Sequence, residues 1–217
     1  MLGSKTKLIW LMKQKGFLTK KDVAEAIYKT PREWFVGKNV KGFAYEDVPL
    51  SIGHGATISQ PSTVAIMIEA LDVKKTDKIL EIGTGSGWQA AILAHLTKKN
   101  VYSIEIVKEL VKFAKENIKK TKLKNIRIIE GDGSKGYKKY APYDKIIVSA
   151  ASPSIPDALI KQLKVGGKLI IPVGDYQLQE LILVEKISKT KIKKKKLGKF
   201  RFVALLGRYG FQKKNQK

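Results

Sequence analysis

The sequence predicts an α/β fold: a doubly wound, mostly parallel sheet with an N-terminal helical extension and a C-terminal antiparallel hairpin. Three observations carry that prediction. Helices and strands alternate regularly after Ser62, the strands are short unbroken apolar runs, and a glycine-rich turn joins one of them to a helix. Unbroken apolar strands belong to parallel sheets buried on both faces, and the intervening helices supply the cover.

In chain order, residues 5–15 and 19–28 carry apolar side chains at helical spacing (Leu8, Leu11, Met12; Val23, Ala26, Ile27), with Gly16 between them, and so predict a helical hairpin. Thr19 followed by Asp22 is an N-cap signal for the second helix, and Pro31 marks its end. Residues 32–61 are irregular and rich in Gly, aromatics and turn formers. A stretch of that length is unusual for a loop and points to function. Its aromatics Trp34, Phe43 and Tyr45 are expected to form local core, because anchoring a long loop needs buried area. Then come a helix over 63–71, a strand over 78–82, a helix over 88–96, a strand over 101–106 and a helix over 108–119. Strands over 126–130 and 145–150, a helix over 156–163 and a strand over 168–173 complete the sheet. Residues 181–187 and 200–206 read as two strands of a hairpin, with the lysine-rich stretch 189–199 as its long solvated connection. The expected organisation is residues 1–61 as N-terminal helices and active-site loop, and 62–217 as a ligand-binding domain, together one structural unit.

Composition narrows the chemistry. There are no cysteines and only two histidines, His54 and His95, which excludes disulfides, thiolate nucleophiles and cysteine-based metal sites; no metal is expected. No apolar run is long enough for a membrane span, and the polar start lacks the apolar core of a signal peptide, so a cytoplasmic protein is expected. The formal charge of +24 attracts polyanions. Only Arg32, Arg127, Arg201 and Arg208 among the 43 basic residues are arginines, however, and bidentate phosphate recognition favours Arg. Nucleic acid is therefore a considered but not favoured partner.

Glu81-Ile82-Gly83-Thr84-Gly85-Ser86-Gly87 lies where a parallel strand ends and a helix begins, the position at which α/β proteins place ligands. Glycines at 83, 85 and 87 allow a sharp turn and close approach of a ligand to the backbone. The spacing differs from the dinucleotide fingerprint, whose helix N-terminus meets a pyrophosphate. A carboxylate beside the turn suits a cationic, phosphate-free nucleoside, and S-adenosylmethionine has that character. Glu105, 24 residues after Glu81 at the end of the second strand, can accept from ribose hydroxyls. Asp132 and Gly133, after the third strand, can serve an adenine ring through a carboxylate and a backbone amide. Each alone is an ordinary turn residue; together they form one cofactor site.

Beyond that site, the chain resembles the protein-L-isoaspartate O-methyltransferases along nearly its whole length. The resemblance is carried by Thr30-Pro31-Arg32-Glu33-Trp34-Phe35, by Gly55-Ala56-Thr57-Ile58-Ser59-Gln60-Pro61 and by the glycine turn running into Trp88-Gln89-Ala90-Ala91. It continues in Gly131-Asp132-Gly133, in Tyr143-Asp144-Lys145-Ile146-Ile147-Val148-Ser149-Ala150-Ala151 and in the segment 162–174. Thr57-Ile58-Ser59-Gln60-Pro61 is the most family-specific of these. The resemblance implies a Rossmann-like class I methyltransferase that uses S-adenosylmethionine to esterify a carboxylate of isoaspartyl peptides and proteins. Ser59 is then the active-site serine, Ala56, Thr57 and Ile58 belong to a loop against the cofactor, and Glu81, Gly83, Gly85, Gly87, Glu105, Asp132 and Gly133 contact it. A monomer is expected. A carboxylate nucleophile is already ionised at neutral pH, so no general base is required. Two departures stand out: Ser62-Thr63 where the family commonly has an aromatic or His and then Met, and Phe202-Val203-Ala204-Leu205 in place of a Phe-Val-Pro-Leu pattern. An RNA methyltransferase working through the lysine-rich surface is the alternative. Against it, the fourth strand runs into Ser149-Ala150-Ala151-Ser152-Pro153, not the Asn/Asp-Pro-Pro-aromatic tetrad suited to an amino nitrogen.

Overall fold

The computed structural model describes residues 4–211. Helices α1 (Lys5–Gln14) and α2 (Lys21–Lys29) form the expected hairpin. Ser4 caps α1, its hydroxyl accepting from the Lys7 amide. Thr19 does not cap α2: its amide and hydroxyl both donate to Glu69, and Lys20 occupies the cap position. A tertiary carboxylate thus outcompetes the local helix end for this side chain, and so pins the hairpin to α3 (Pro61–Leu71).

Residues 32–60 contain more order than their composition suggests. Two 3-10 turns (Arg32–Trp34 and Lys38–Phe43) lead into a small hairpin of β1 (Leu50–Gly53) and β2 (Ala56–Ile58). His54 and Gly55 are its two central residues, and both have positive φ, 53° and 71°. That is the backbone a tight two-residue hairpin turn demands. The expected aromatic core is there only in part: Trp34 is 37% and Phe43 54% exposed, whereas Tyr45 is half-buried against the core and its hydroxyl hydrogen-bonds the Glu33 carboxylate. Phe35, wholly buried, and the buried Arg32 anchor the segment instead.

The main sheet holds β3 (Ile79–Ile82), β4 (Val101–Glu105), β5 (Ile126–Glu130), β6 (Tyr143–Val148), β7 (Leu163–Gly174), β8 (Gln179–Lys186) and β9 (Ile192–Phe200), in the order β5-β4-β3-β6-β7-β8-β9. The first five pair in parallel, while β8 and β9 run antiparallel, as the predicted fold class requires. Alternation divides each strand between two apolar clusters. Ile79, Val101, Ile126 and Ile170 pack with the N-terminal helices, α3 and α4 (Trp88–Leu96); Leu80, Ile82, Ile104 and Leu169 pack on the other face with α6 (Asp157–Gln162). In α4 all but His95 are buried, as befits a helix enclosed between a sheet and further helices. Helix α5 (Lys108–Thr121) is amphipathic, burying Leu110, Val111 and Ala114.

The end of the chain departs from expectation. The lysine-rich run is itself the last strand, with Lys193, Lys194 and Lys195 in register with Glu185, Val184 and Leu183. The connection is the short turn near 187–191, closed by the Ile187 and Ser188 amides on the Lys191 carbonyl. Residues 201–206 follow as an extended segment touching Ala151. Strand β9 lies at the sheet edge, where lysines keep an open row of backbone groups from pairing with another chain. Such a strand lacks the apolar alternation by which strands are normally read.

Candidate active site

The sheet order reverses direction at β3, whose neighbours β4 and β6 are reached by crossovers on opposite sides. The crevice at the carboxyl ends of these strands is the switch point at which such sheets bind ligands. Here β3 runs into the glycine turn. The Gly83 and Thr84 amides both donate to the Ile104 carbonyl, and the Gly87 amide to the Thr84 carbonyl. Gly83, Gly85 and Gly87 all have positive φ (87°, 53° and 86°), which only glycine adopts without strain. Asn117 on α5 holds the turn from behind, donating to the Ser86 carbonyl at 3.1 Å.

A cavity opens above this turn. Ala56, Thr57, Ile58 and Ser59 form one wall, Gly83 and Gly85 the floor, and Glu105 and Gly133 the far side. Ile104, Ile106, Val107, Leu110, Leu205 and Leu206 give it apolar faces. Among the described residues, Glu105 is the one carboxylate on its surface and no Lys or Arg lines it, although the chain has 43. The Glu105 carboxylate is fixed: Oε2 accepts from the Gly85 amide at 2.9 Å, and Oε1 from the Ile106 and Val107 amides at 2.9 and 3.0 Å.

Three expected residues lie outside this lining. Glu81 is wholly buried one layer behind, accepting from Ser103 Oγ at 2.5 Å and from Gln89 Nε2 at 3.0 Å. Burial pushes its carboxyl up to about 8, despite those hydrogen bonds and with the Glu105 charge adding to the rise. Gln89 does line the cavity, and the same Nε2 donates to Ser149 Oγ at 2.7 Å. Gly87 turns the chain into α4 as its N-cap. Asp132 faces the chain end: it accepts from the Ser134 amide and hydroxyl and from the Arg208 amide. Burial alone would raise its pKa, but these bonds and nearby Lys135 hold it below the usual carboxylate value. A Cβ on Gly207 would collide with that carboxylate, so the segment packs on Asp132 through bare backbone. Gly133 must itself be glycine, since a Cβ would meet Ile82 Cγ2 at 2.5 Å.

A second depression, a groove, lies on the other side of the Ser59 loop. It is lined by Lys15 and Phe17, Asp47 and Pro49, Ser59, Gln60, Ser62, Thr63 and Ile66 at the start of α3, Leu178, and the stretch from Lys199 to Val203. Thr57, Ser59, Ser149 and Val203 border both cavity and groove. Among the described residues, none hydrogen-bonds the Ser59 hydroxyl. Ser62 and Thr63, the departures beside Pro61, line the groove, not the cavity. Ala204 lies between Val203 and Leu205, whose backbones bond Ala151 like a short strand.

Two residues not singled out for a role by sequence reasoning hold the loop. Arg32 is buried, and its guanidinium donates to the carbonyls of Ala44, Glu46, Val48, Ile58 and Ser59 at 2.9–3.4 Å while lying over the Trp88 ring. Burial lowers its pKa to about 10, opposed by the charge of Asp47. Asp47 accepts from the Ser62 amide and Gln60 Nε2, so a remote carboxylate caps α3, where Pro61 leaves no amide to cap. The signal available in sequence was Arg32 itself, one of four arginines among 43 basic residues.

This geometry has known counterparts. The family model for protein-L-isoaspartate(D-aspartate) O-methyltransferase (PCMT) matches residues 3–210. The chain is 47% identical over 203 residues to the protein-L-isoaspartate O-methyltransferase of Pyrococcus abyssi, covering 93% of this chain and 94% of that one. It is 52% identical over 192 residues to protein-L-isoaspartate O-methyltransferase 2 of Archaeoglobus fulgidus, covering 88% and 87%. A Plasmodium falciparum protein-L-isoaspartate O-methyltransferase structure in complex with S-adenosyl-L-homocysteine superposes with a TM-score of 0.82 at 28% identity, over 94% of this chain and 98% of that one.

Proposed function

The chain belongs to the protein-L-isoaspartate(D-aspartate) O-methyltransferase family, and from that premise we propose how its residues divide the work. It is an S-adenosylmethionine-dependent carboxyl methyltransferase that esterifies L-isoaspartyl residues of damaged proteins, the start of their repair. The observation that carries the division is a segregation of charge. Among the described residues, the cavity presents a carboxylate and no basic side chain, whereas the groove across Ser59 carries Lys15, Lys199 and Arg201. A cationic, phosphate-free nucleoside fits the first, and an anionic peptide the second.

S-adenosylmethionine, when bound, supplies an electrophilic methyl group on a sulfonium centre. Glu105 would accept from its ribose hydroxyls, since a carboxylate has about four lone-pair sites and three amides occupy only part of them. Gly83 and Gly85 let it approach the backbone, Ala56, Thr57 and Ile58 form the facing wall, and Gly133 borders the side where a ring can lie among Ile104, Leu205 and Leu206. Glu81 acts through Gln89, and Asp132 acts by holding the wall formed by 205–209. Gly87 sets the entry angle of α4.

Ser59 is the catalytic residue. Its hydroxyl donates one hydrogen bond to the acceptor carboxylate and orients it across the shared wall. That carboxylate is ionised at neutral pH, with an ordinary pKa of about 4. No proton has to be removed, so a site without Cys and with only exposed His54 nearby is sufficient. The rate gain comes from orientation, worth up to about 7–11 kcal/mol when reacting groups are fully aligned, and from keeping water off the methyl group. Residues 1–61 and 62–217 work as one unit, since the N-terminal helices and the sheet share an apolar cluster. We place the enzyme in the cytoplasm as a monomer.

The test is methyl transfer from labelled S-adenosylmethionine to an isoaspartyl peptide, its aspartyl twin and bulk RNA. Base-labile label on the isoaspartyl peptide alone is expected. Base-stable label on RNA would overturn the assignment in favour of the alternative.

A further inference from the structure

We propose that the groove selects its peptide by charge: Lys15, Lys199 and Arg201 read acidic residues flanking the isoaspartyl site. This rests on the carboxyl methyltransferase reading and adds a substrate preference to it. All three side chains are exposed; Lys15 comes from the end of α1, and Lys199 and Arg201 from the single stretch that ends β9 and follows it. They meet at one groove whose only acidic residue, among the described residues, is Asp47. The Asp47 carboxylate is already committed to the Ser62 amide and the Gln60 side chain, and it faces the buried Arg32 charge, so it does little to cancel the basic rim. Phe17, Phe200 and Phe202 lie between the charges, which leaves apolar room for a peptide backbone and its smaller side chains.

The same arrangement suits turnover. The acceptor enters as a carboxylate and leaves as a neutral methyl ester, so a basic rim holds the reactant more firmly than the product. Among the described residues no basic group lines the cavity beside Ser59, where a cation against the carboxylate would blunt its attack. Lysine and arginine at the rim therefore recruit the peptide without quenching the nucleophile. Exposed charge pairs each contribute little, so two or three together give a preference of about five- to tenfold at low salt.

Three isoaspartyl hexapeptides that differ only in flanking residues (acidic, neutral or lysine) provide the test. KM is read from methylation and Kd from fluorescence anisotropy without cofactor. The acidic peptide is expected to bind about five- to tenfold more tightly than the lysine peptide at 20 mM NaCl, with the gap closing at 500 mM, since salt screens exposed charges. In the exposed double variant Lys199→Glu/Arg201→Glu, the ratio between the two peptides should collapse or invert; a ratio is insensitive to any general loss of activity. Equal affinity for the two peptides, or a preference that survives the double variant, would overturn the proposal while methylation of the neutral peptide still supports the carboxyl methyltransferase reading. Binding without methylation of any isoaspartyl peptide would instead sink that reading and leave the charge preference standing in the anisotropy data.

Discussion

Ser59 and Glu81 show how far a residue's role depends on which side of a wall it occupies. Ser59 borders both cavity and groove with a hydroxyl that no described residue engages. Replacing Ser59 with Ala is expected to lower kcat by about 10- to 100-fold, the worth of one hydrogen bond to a charged group. The KM for S-adenosylmethionine should stay within about twofold, since the role proposed for the hydroxyl is toward the acceptor; unchanged turnover in steady-state kinetics would remove Ser59 from the mechanism. Glu81, by contrast, is sealed among Ser103 and Gln89, with its carboxyl pushed up to about 8. In the unfolded chain it ionises near the usual Glu value of about 4.3. Between those values the folded protein holds the extra proton, so stability is full at the acidic end and falls as pH rises toward 8. The slope is at most about 1.4 kcal/mol per pH unit. Thermal melts at pH 5 and pH 8 should show a smaller drop for Glu81→Gln than for the parent protein. Parallel drops would mean that Glu81 is charged in the fold.

At the level of elements, the loop that carries Ser59 is held less by its own sequence than by Arg32. One planar guanidinium gathers carbonyls from three separate stretches, residues 44–46, 48 and 58–59, so the hairpin of β1 and β2 is positioned from beneath. Arg32→Ala would strand those carbonyls in the interior and is expected to cost on the order of 3 kcal/mol or more, at the high end for point changes. Arg32→Lys should recover only part of that, because an ammonium lacks the planar fork. Urea denaturation measures the loss. If both variants keep parental stability, Arg32 does not hold the loop. The hairpin itself was legible only as an irregular, glycine-rich stretch, because its turn depends on His54 adopting a positive φ that histidine adopts only uncommonly. Strand β9 was read as a connection for a related reason. Strand patterns are recognised by burial, and an edge strand of lysines buries almost nothing.

For the whole molecule, 43 basic residues face 19 acidic ones, so most cations have no carboxylate to pair with. A charge of +24 on a compact chain repels itself, and salt screens that repulsion within about 10 Å at 0.1 M. The melting temperature at pH 7 is therefore expected to rise by several degrees between 20 and 500 mM NaCl. A fall would show that attractive ion pairs, such as Lys145 with Asp77, outweigh the repulsion. The excess is also unevenly placed. It covers the edge strand and the groove and spares the cofactor cavity, an arrangement that net charge alone does not reveal.

The sequence by itself determined the fold class, the order of helices and sheet strands through β8, the glycine turn after β3 and the loop bearing Ser59. These are encoded locally, by apolar periodicity, by glycines where the backbone must turn left-handed and by short motifs whose spacing places them at strand ends. Only the tertiary structure decided which of those residues reach the cavity. Glu81 and Glu105 are both carboxylates at strand ends, yet one is walled off behind Gln89 and the other lines the site. Asp132 was legible as a strand-end carboxylate, but beside its local bonds to Ser134 it accepts from the Arg208 amide, 76 residues away. Direction of a side chain at a strand end follows from what packs on each face of the sheet, and that is settled by contacts between segments distant in sequence.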